Sequence, residues 1–322
     1  MRWFGLTVWC ARAANEVKQR SMRVTRLTAL QTRTERLLIR TAHSPNCKFI
    51  IMTVLVVLLS GRSAPTLADE RVEFDSALTR SHKDSAGIGQ PGAVLKGYLT
   101  KPNGDGPFPA VVLLHSCLGL PLDRSAIGEM IASWGNVALF VDNFGTRGLK
   151  QTCAVDFPEG VADAYGALDY VARFAFVDRT RIAAVGYSQG ADTALTIASG
   201  RFASAFVLPQ GAKFKAAVAF YPPCANQGGA QLTLPTLILV GDRDDVTPAA
   251  DCARLARAQP RGISKVKLIV LPGVDHAFDN PGFTGGARVY GMWLKYDGAA
   301  AEQAKGELHR FLAIEFRQQS AQ

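Results

Sequence analysis

The sequence predicts a doubly wound α/β domain, a mostly parallel sheet with helices on both faces. Two observations carry this. Six apolar runs lack strict alternation and are bounded by Gly, Pro, Asn or Asp, as strands covered on both faces should be. Segments with apolar residues recurring every three or four positions alternate with them, so successive strands need crossovers.

Taken in order, Phe108–His115 (FPAVVLLH) is the first run and ends in a polar loop. Leu122–Trp134 follows with helical spacing. Asn136–Asp142 (NVALFVD) is the second strand and Glu159–Phe174 the second helix. Arg181–Tyr187 (RIAAVGY) leads into the Ala-rich Ser188–Ser199. Phe214–Tyr221 and Leu234–Val240 are two further strands. Pro248–Ala258 reads as a helix with Thr247 as its N-cap and Pro248 in its first turn. Val266–Leu271 is the last strand, and Glu302–Phe316 closes the chain as an amphipathic helix. In such sheets reactive groups sit beyond the carboxyl ends of the strands, so each strand-to-helix loop carries information.

The net charge of +9 is unevenly placed. Residues 1–68 hold eleven Lys and Arg against two Glu, whereas residues 69–322 hold 25 basic and 25 acidic residues. The body therefore lacks the positive field that holds phosphate backbones, and nucleic acid is not an expected partner. With 48% apolar and 20% charged residues, the chain can bury a sizeable core.

Residues 1–68 read as an N-terminal extension with a secretory signal, and residues 69–322 as the folded domain. The apolar stretch 49–60 (FIIMTVLVVLLS) is short for a bilayer span but suits a signal core, with cleavage expected after Ala68. This implies a secreted or periplasmic protein; the alternative is a membrane anchor formed by an uncleaved 49–60. The long Arg-rich stretch ahead of it suggests an upstream start, with Met22 or Met52 as alternatives. Cys117, Cys153, Cys224 and Cys252 remain after the expected cleavage. They permit two disulfides in three connectivities, or four buried thiols. A pairing of Cys117 with Cys153 and Cys224 with Cys252 is one hypothesis. No Cys/His spacing suggests a metal.

The loop after Arg181–Tyr187 is Gly186-Tyr187-Ser188-Gln189-Gly190, a G-x-S-x-G between a strand and a helix. That is the setting of a nucleophile elbow, with Ser188 at a helix N-terminus. A Ser hydroxyl needs a base. His276 follows Val266–Leu271 on the same edge of the sheet and is the candidate base; His115 is the second choice. The base needs an acid to orient it. Asp244, in Gly241-Asp242-Arg243-Asp244-Asp245, is preferred, with Asp245 as alternate. The order Ser188, Asp244, His276 is that of α/β-hydrolases. Oxyanion donors are expected from the backbone N–H groups of Gln189 and Cys117. No metal or organic cofactor is required.

The motifs VVLLHSCLGL (111–120), FVDNFGTRG (140–148), GYSQG (186–190), GDRDDVTPA (241–249) and LPGVDHAFDN (271–280) resemble the dienelactone hydrolase family over roughly residues 90–316. The resemblance implies hydrolysis of a small ester or lactone through an acyl-enzyme. Founding members carry Cys where this chain has Ser188, and Glu where it has Ser116. They hold a substrate carboxylate with Arg residues, for which Arg147 is the candidate here; His115 is a second candidate substrate contact. A peptidase or acyltransferase on the same scaffold, and a non-catalytic exported binding protein, are the alternatives. The sequence says nothing of oligomeric state.

Overall fold

The computed structural model describes residues 69–79, 92–155, 157, 159–260 and 265–317. The extension 1–68, with the apolar stretch 49–60 and the cleavage expected after Ala68, lies outside these residues, as does His82.

In chain order the elements are β1 (Glu70–Asp75), β2 (Val94–Thr100), β3 (Phe108–Leu114), α1 (Arg124–Ser133), β4 (Val137–Asp142), α2 (Gly160–Ala172), β5 (Val177–Tyr187) and α3 (Gln189–Ala198). There follow β6 (Phe214–Phe220), β7 (Thr236–Gly241), α4 (Ala249–Ala258), β8 (Val266–Leu271), the hairpin strands β9 (Ala287–Val289) and β10 (Met292–Leu294), and α5 (Gly298–Glu315). Among the described residues eight strands form one sheet in the order β1-β2-β4-β3-β5-β6-β7-β8. From β4 to β8 all neighbours are parallel; β2 is antiparallel to both β1 and β4.

The continuous apolar character of the central strands has a direct cause. Ala110, Val112 and Leu114 pack with α2 and α3 residues such as Leu168 and Ile197, while Val111 and Leu113 pack with Ile131 of α1 and Leu308 and Leu312 of α5. The buried side chains of these strands thus alternate between two helix layers, one on each face. The α3–α4 side is completed by Ala191, Leu195, Ile238, Val240 and Leu255.

β1 and β2 add an edge the sequence reading did not anticipate. In ERVEFD only Val72 and Phe74 are buried, so β1 is a half-exposed strand whose charges disguise it. α4 also differs from expectation: it begins at Ala249 with Pro248 at the N-cap and no side-chain cap. Thr247 points elsewhere. Both disulfides form, Cys117–Cys153 and Cys224–Cys252, with Cα atoms 4.8 and 5.0 Å apart.

Candidate active site

The turn from β5 into α3 is tight. Ser188 takes φ 51°, ψ −111° and its N–H donates to the Phe220 carbonyl at 2.9 Å. A non-Gly residue held there signals a constraint imposed by its surroundings. Both flanking glycines are dictated by space. A Cβ on Gly186 would sit 2.0 Å from the Gly190 carbonyl oxygen, and one on Gly190 would sit 2.3 Å from that of Leu114. The spacing G-x-S-x-G is therefore a packing requirement of this turn.

Three sequence-distant side chains meet at the carboxyl edge of the sheet. His276 Nε2 lies 3.1 Å from Ser188 Oγ, and His276 Nδ1 lies 2.7 Å from Asp244 Oδ2. All three are buried: Ser188 is 9% exposed, Asp244 5% and His276 3%. The Asp244 carboxylate is well satisfied, as burial demands. Its Oδ1 accepts from the N–H groups of Val246 (3.0 Å) and Thr247 (2.7 Å), and the Thr247 hydroxyl lies 2.9 Å from Oδ2. That hydroxyl is also 3.2 Å from the Tyr221 carbonyl oxygen and 3.2 Å from His276 Nδ1. Thr247 thus braces the Asp244 carboxylate rather than capping α4.

The loops that carry Asp244 and His276 are stitched together. Asp242 accepts from the Gly273 N–H at 2.6 Å, and the Arg243 N–H donates to the Val274 carbonyl at 3.0 Å. From the other side the Lys295 N–H, just past β10, donates to the His276 carbonyl at 3.0 Å. Asp245, the alternate acid, is exposed. Tyr221 escaped the sequence reading, which ended a strand on it. Its ring packs edge-on against His276 at 4.6 Å, and its hydroxyl donates to Asp279 at 2.7 Å. Burial pushes the Asp279 carboxyl up to about 6 and the Tyr221 phenol well above its ordinary range.

The expected oxyanion loops also adjoin. In the loop after β3 the Leu118 N–H donates to Ser116 Oγ (3.3 Å) and the Gly119 N–H to the Ser116 carbonyl (3.0 Å). Gln189 opens α3, where first-turn N–H groups have no partner within the helix. The two residues are linked through Thr152. Its N–H donates to the Cys117 carbonyl at 2.9 Å, and its hydroxyl to Gln189 Oε1 at 2.7 Å.

Arg147 does not take the place expected of it, and His115 is excluded only as a base. Arg147 makes a two-pronged pair with the fully buried Asp163, at 2.8 and 2.9 Å, and also donates to the Asn143 carbonyl at 2.6 Å. Burial raises the Asp163 carboxyl's pKa, and Arg147 and Asn143 oppose that rise. Arg147's fork is occupied by a structural partner and is not aimed at a ligand. His115 lines the cavity beside the site, but both its nitrogens are engaged, at 2.8 Å with the Ser116 carbonyl and 3.3 Å with the Asn143 N–H. It has no nitrogen left to serve Ser188 as a base.

That cavity holds about 300 Å³ and is walled by Leu118, Leu120, Ile127, Tyr187 and Phe283. Asp123 and Asp279 supply its charge; among the described residues no Lys or Arg lines it.

Residues 95–316 match the family model described as the dienelactone hydrolase family. The chain belongs to the dienelactone hydrolase family. Among solved structures, a dienelactone hydrolase-like promiscuous phosphotriesterase from metagenomic libraries superposes with a TM-score of 0.59 at 20% identity, covering 78% of this chain and all of that one. The esterase Est2 of Thermogutta terrifontis, with propionate bound, gives 0.54 at 20% identity, over 77% of this chain and 97% of that one. At such identities these likenesses show a shared α/β-hydrolase fold. Cutinase 1 of Thermobifida cellulosilytica is 28% identical over 192 residues, covering 57% of this chain. The cutinase of Thermobifida fusca is likewise 28% identical over 192 residues. The match spans less than two thirds of these relatives' own lengths, 66% and 58%.

Proposed function

We propose that this dienelactone hydrolase family member is an exported carboxylic ester hydrolase that cleaves small esters or lactones through an acyl-enzyme on Ser188. The observation that carries the reading is the continuous chain Ser188 Oγ, His276 Nε2, His276 Nδ1, Asp244 Oδ2, with links of 3.1 and 2.7 Å.

Ser188 Oγ attacks the carbonyl carbon while its proton passes to His276 Nε2. Asp244 holds the imidazole in the tautomer with its proton on Nδ1 and stabilises the imidazolium that forms. The N–H groups of Gln189 and Cys117 receive the oxyanion. The tetrahedral adduct collapses, the C–O bond to the alcohol breaks, and His276 returns the proton to the leaving oxygen. Water then attacks the acyl-enzyme with His276 again as base, releasing the acid and restoring Ser188. Kinship with a phosphotriesterase, an esterase and cutinases supports an ester as substrate.

The cavity refines the substrate class. Its volume suits small acyl or alcohol groups. Carboxylates in its wall, with no cation to offset them among the lining residues, disfavour the carboxylate-bearing lactones that founding members accept. Uncharged esters are the better fit. Two disulfides suit an oxidising compartment, in keeping with export through the signal expected in residues 1–68 and with a folded domain from residue 69.

The test is fluorophosphonate labelling with hydrolysis of short p-nitrophenyl esters. One label at Ser188, and complete loss of both label and turnover in a folded Ser188→Ala variant, is the expected result. Wild-type-like turnover in that variant would overturn the assignment.

A further inference from the structure

The peptide joining Ser116 to Cys117 carries, at its nitrogen, the N–H assigned above to the oxyanion. In a trans peptide the carbonyl and the N–H point in opposite directions, so whatever holds the Ser116 oxygen also aims the Cys117 N–H. Two donors hold that oxygen. One is the Gly119 N–H at 3.0 Å, across the turn. The other is the His115 ring, with Nδ1 at 2.8 Å.

The proton positions on His115 follow from its partners. A carbonyl oxygen only accepts, so Nδ1 carries hydrogen. The Asn143 N–H only donates, and it approaches Nε2 at 3.3 Å, so Nε2 is the bare nitrogen. His115 is a neutral imidazole in one fixed tautomer. Burial favours the same state by lowering its pKa. Asn143 is itself clamped: its carbonyl accepts from Arg147 at 2.6 Å and its side-chain amide donates to Asp163 at 2.6 Å. The pair of half-buried Arg147 with buried Asp163 therefore anchors Asn143. Asn143 fixes the ring of His115, and His115 fixes the peptide.

We propose that His115 is a positioning residue for the oxyanion hole, locking the Ser116–Cys117 peptide so that its N–H stays turned toward the developing negative charge. This rests on the serine-hydrolase reading and deepens it. It also assigns a task to the motif around Arg147 that needs no contact with substrate. Without the Nδ1 donor the peptide is held by Gly119 alone and can rotate, presenting its carbonyl dipole where a donor is required. The loss falls on the transition state and spares ground-state binding, so it appears in kcat.

The experiment compares three variants. His115→Asn places an amide nitrogen near Nδ1 and keeps the donor; His115→Gln places its nitrogen near Nε2; His115→Leu has neither. For a short p-nitrophenyl ester, His115→Leu and His115→Gln are expected to lose about 10²-fold in kcat, with KM within about twofold, the loss seen when one oxyanion donor is removed. His115→Asn should recover most of it. A boronic acid, whose oxygen would occupy the oxyanion hole, should bind the impaired variants correspondingly less tightly. If His115→Leu fails to fold, the Asn–Gln pair decides: equal activity of these two overturns the proposal, as does a folded His115→Leu with kcat within threefold of wild type. A wild-type chain that takes no fluorophosphonate label sinks the serine-hydrolase reading and this role with it. A labelled wild type with indifferent His115 variants sinks only the positioning role.

Discussion

The hydroxyl of Thr152 donates to Gln189 Oε1 across 2.7 Å, joining a loop after β4 to the first residue of α3. The same residue's N–H holds the Cys117 carbonyl. Thr152 therefore spans the two residues whose amides are assigned to the oxyanion, although they lie far apart in the chain. Thr152→Val keeps the shape and the backbone bond but loses the hydroxyl. A neutral hydrogen bond is worth about 1 kcal/mol, so kcat should fall roughly five- to tenfold with little change in KM. Thr152→Ser should restore it. Steady-state kinetics on one ester distinguishes the three.

Asp244→Asn tests the acid separately from the nucleophile. The asparagine can keep the bonds from Val246 and Thr247 but favours the wrong imidazole tautomer. A drop in kcat on the order of 10³–10⁴-fold is expected, with an unchanged fold by circular dichroism. Asp245→Asn, at an exposed site, should leave kcat near wild type.

Asp279 gives a dependence of stability on pH whose sign can be worked out. Its carboxyl is raised from 3.8 to about 6 in the folded chain, chiefly by burial. Folding thus disfavours the ionised form. Below about pH 4 both states are protonated and the group is neutral in its effect; between about 4 and 6 a penalty grows, and above 6 it is complete. Two units correspond to at most about 3 kcal/mol. Asp279→Asn should melt higher than wild type at pH 8, and the gap should close as pH falls to 4. The same variant should narrow the discrimination against carboxylate-bearing esters, read as a ratio of kcat/KM values.

Removing the Cys117–Cys153 bridge in a double Ser variant frees a loop with a sequence separation of 36. Chain entropy sets the cost at about 3–4 kcal/mol. The melting temperature should fall by on the order of 10 °C by calorimetry.

Much of the fold was legible because central strands buried on both faces leave unbroken apolar runs, and because G-x-S-x-G is forced by the close approach at Gly186 and Gly190. What escaped notice was of two kinds. β1 is an edge strand and β2 its neighbour, and their outward residues, Glu70, Arg71, Glu73 and Asp75 in β1 and Lys96 in β2, resemble loop sequence. Tyr221 and Thr152 act through partners distant in the chain, Thr247 joins the nearby Asp244 to the distant Tyr221 and His276, and no local pattern distinguishes a bracing Thr from a capping one. Arg147 shows the opposite failure: a motif suggested a ligand contact, whereas the buried Asp163 takes both prongs of its guanidinium.

The cramped elbow around Ser188 also sets the terms on which its neighbours can be exchanged. At Gly186 and Gly190 even a methyl group would collide with backbone, at Gly190 and Leu114 respectively. Any larger residue at either place would have to shift the start of α3 against β3 before it could be housed. Change here is therefore all or none: the bend stays as it is, or the strand and helix it joins part company.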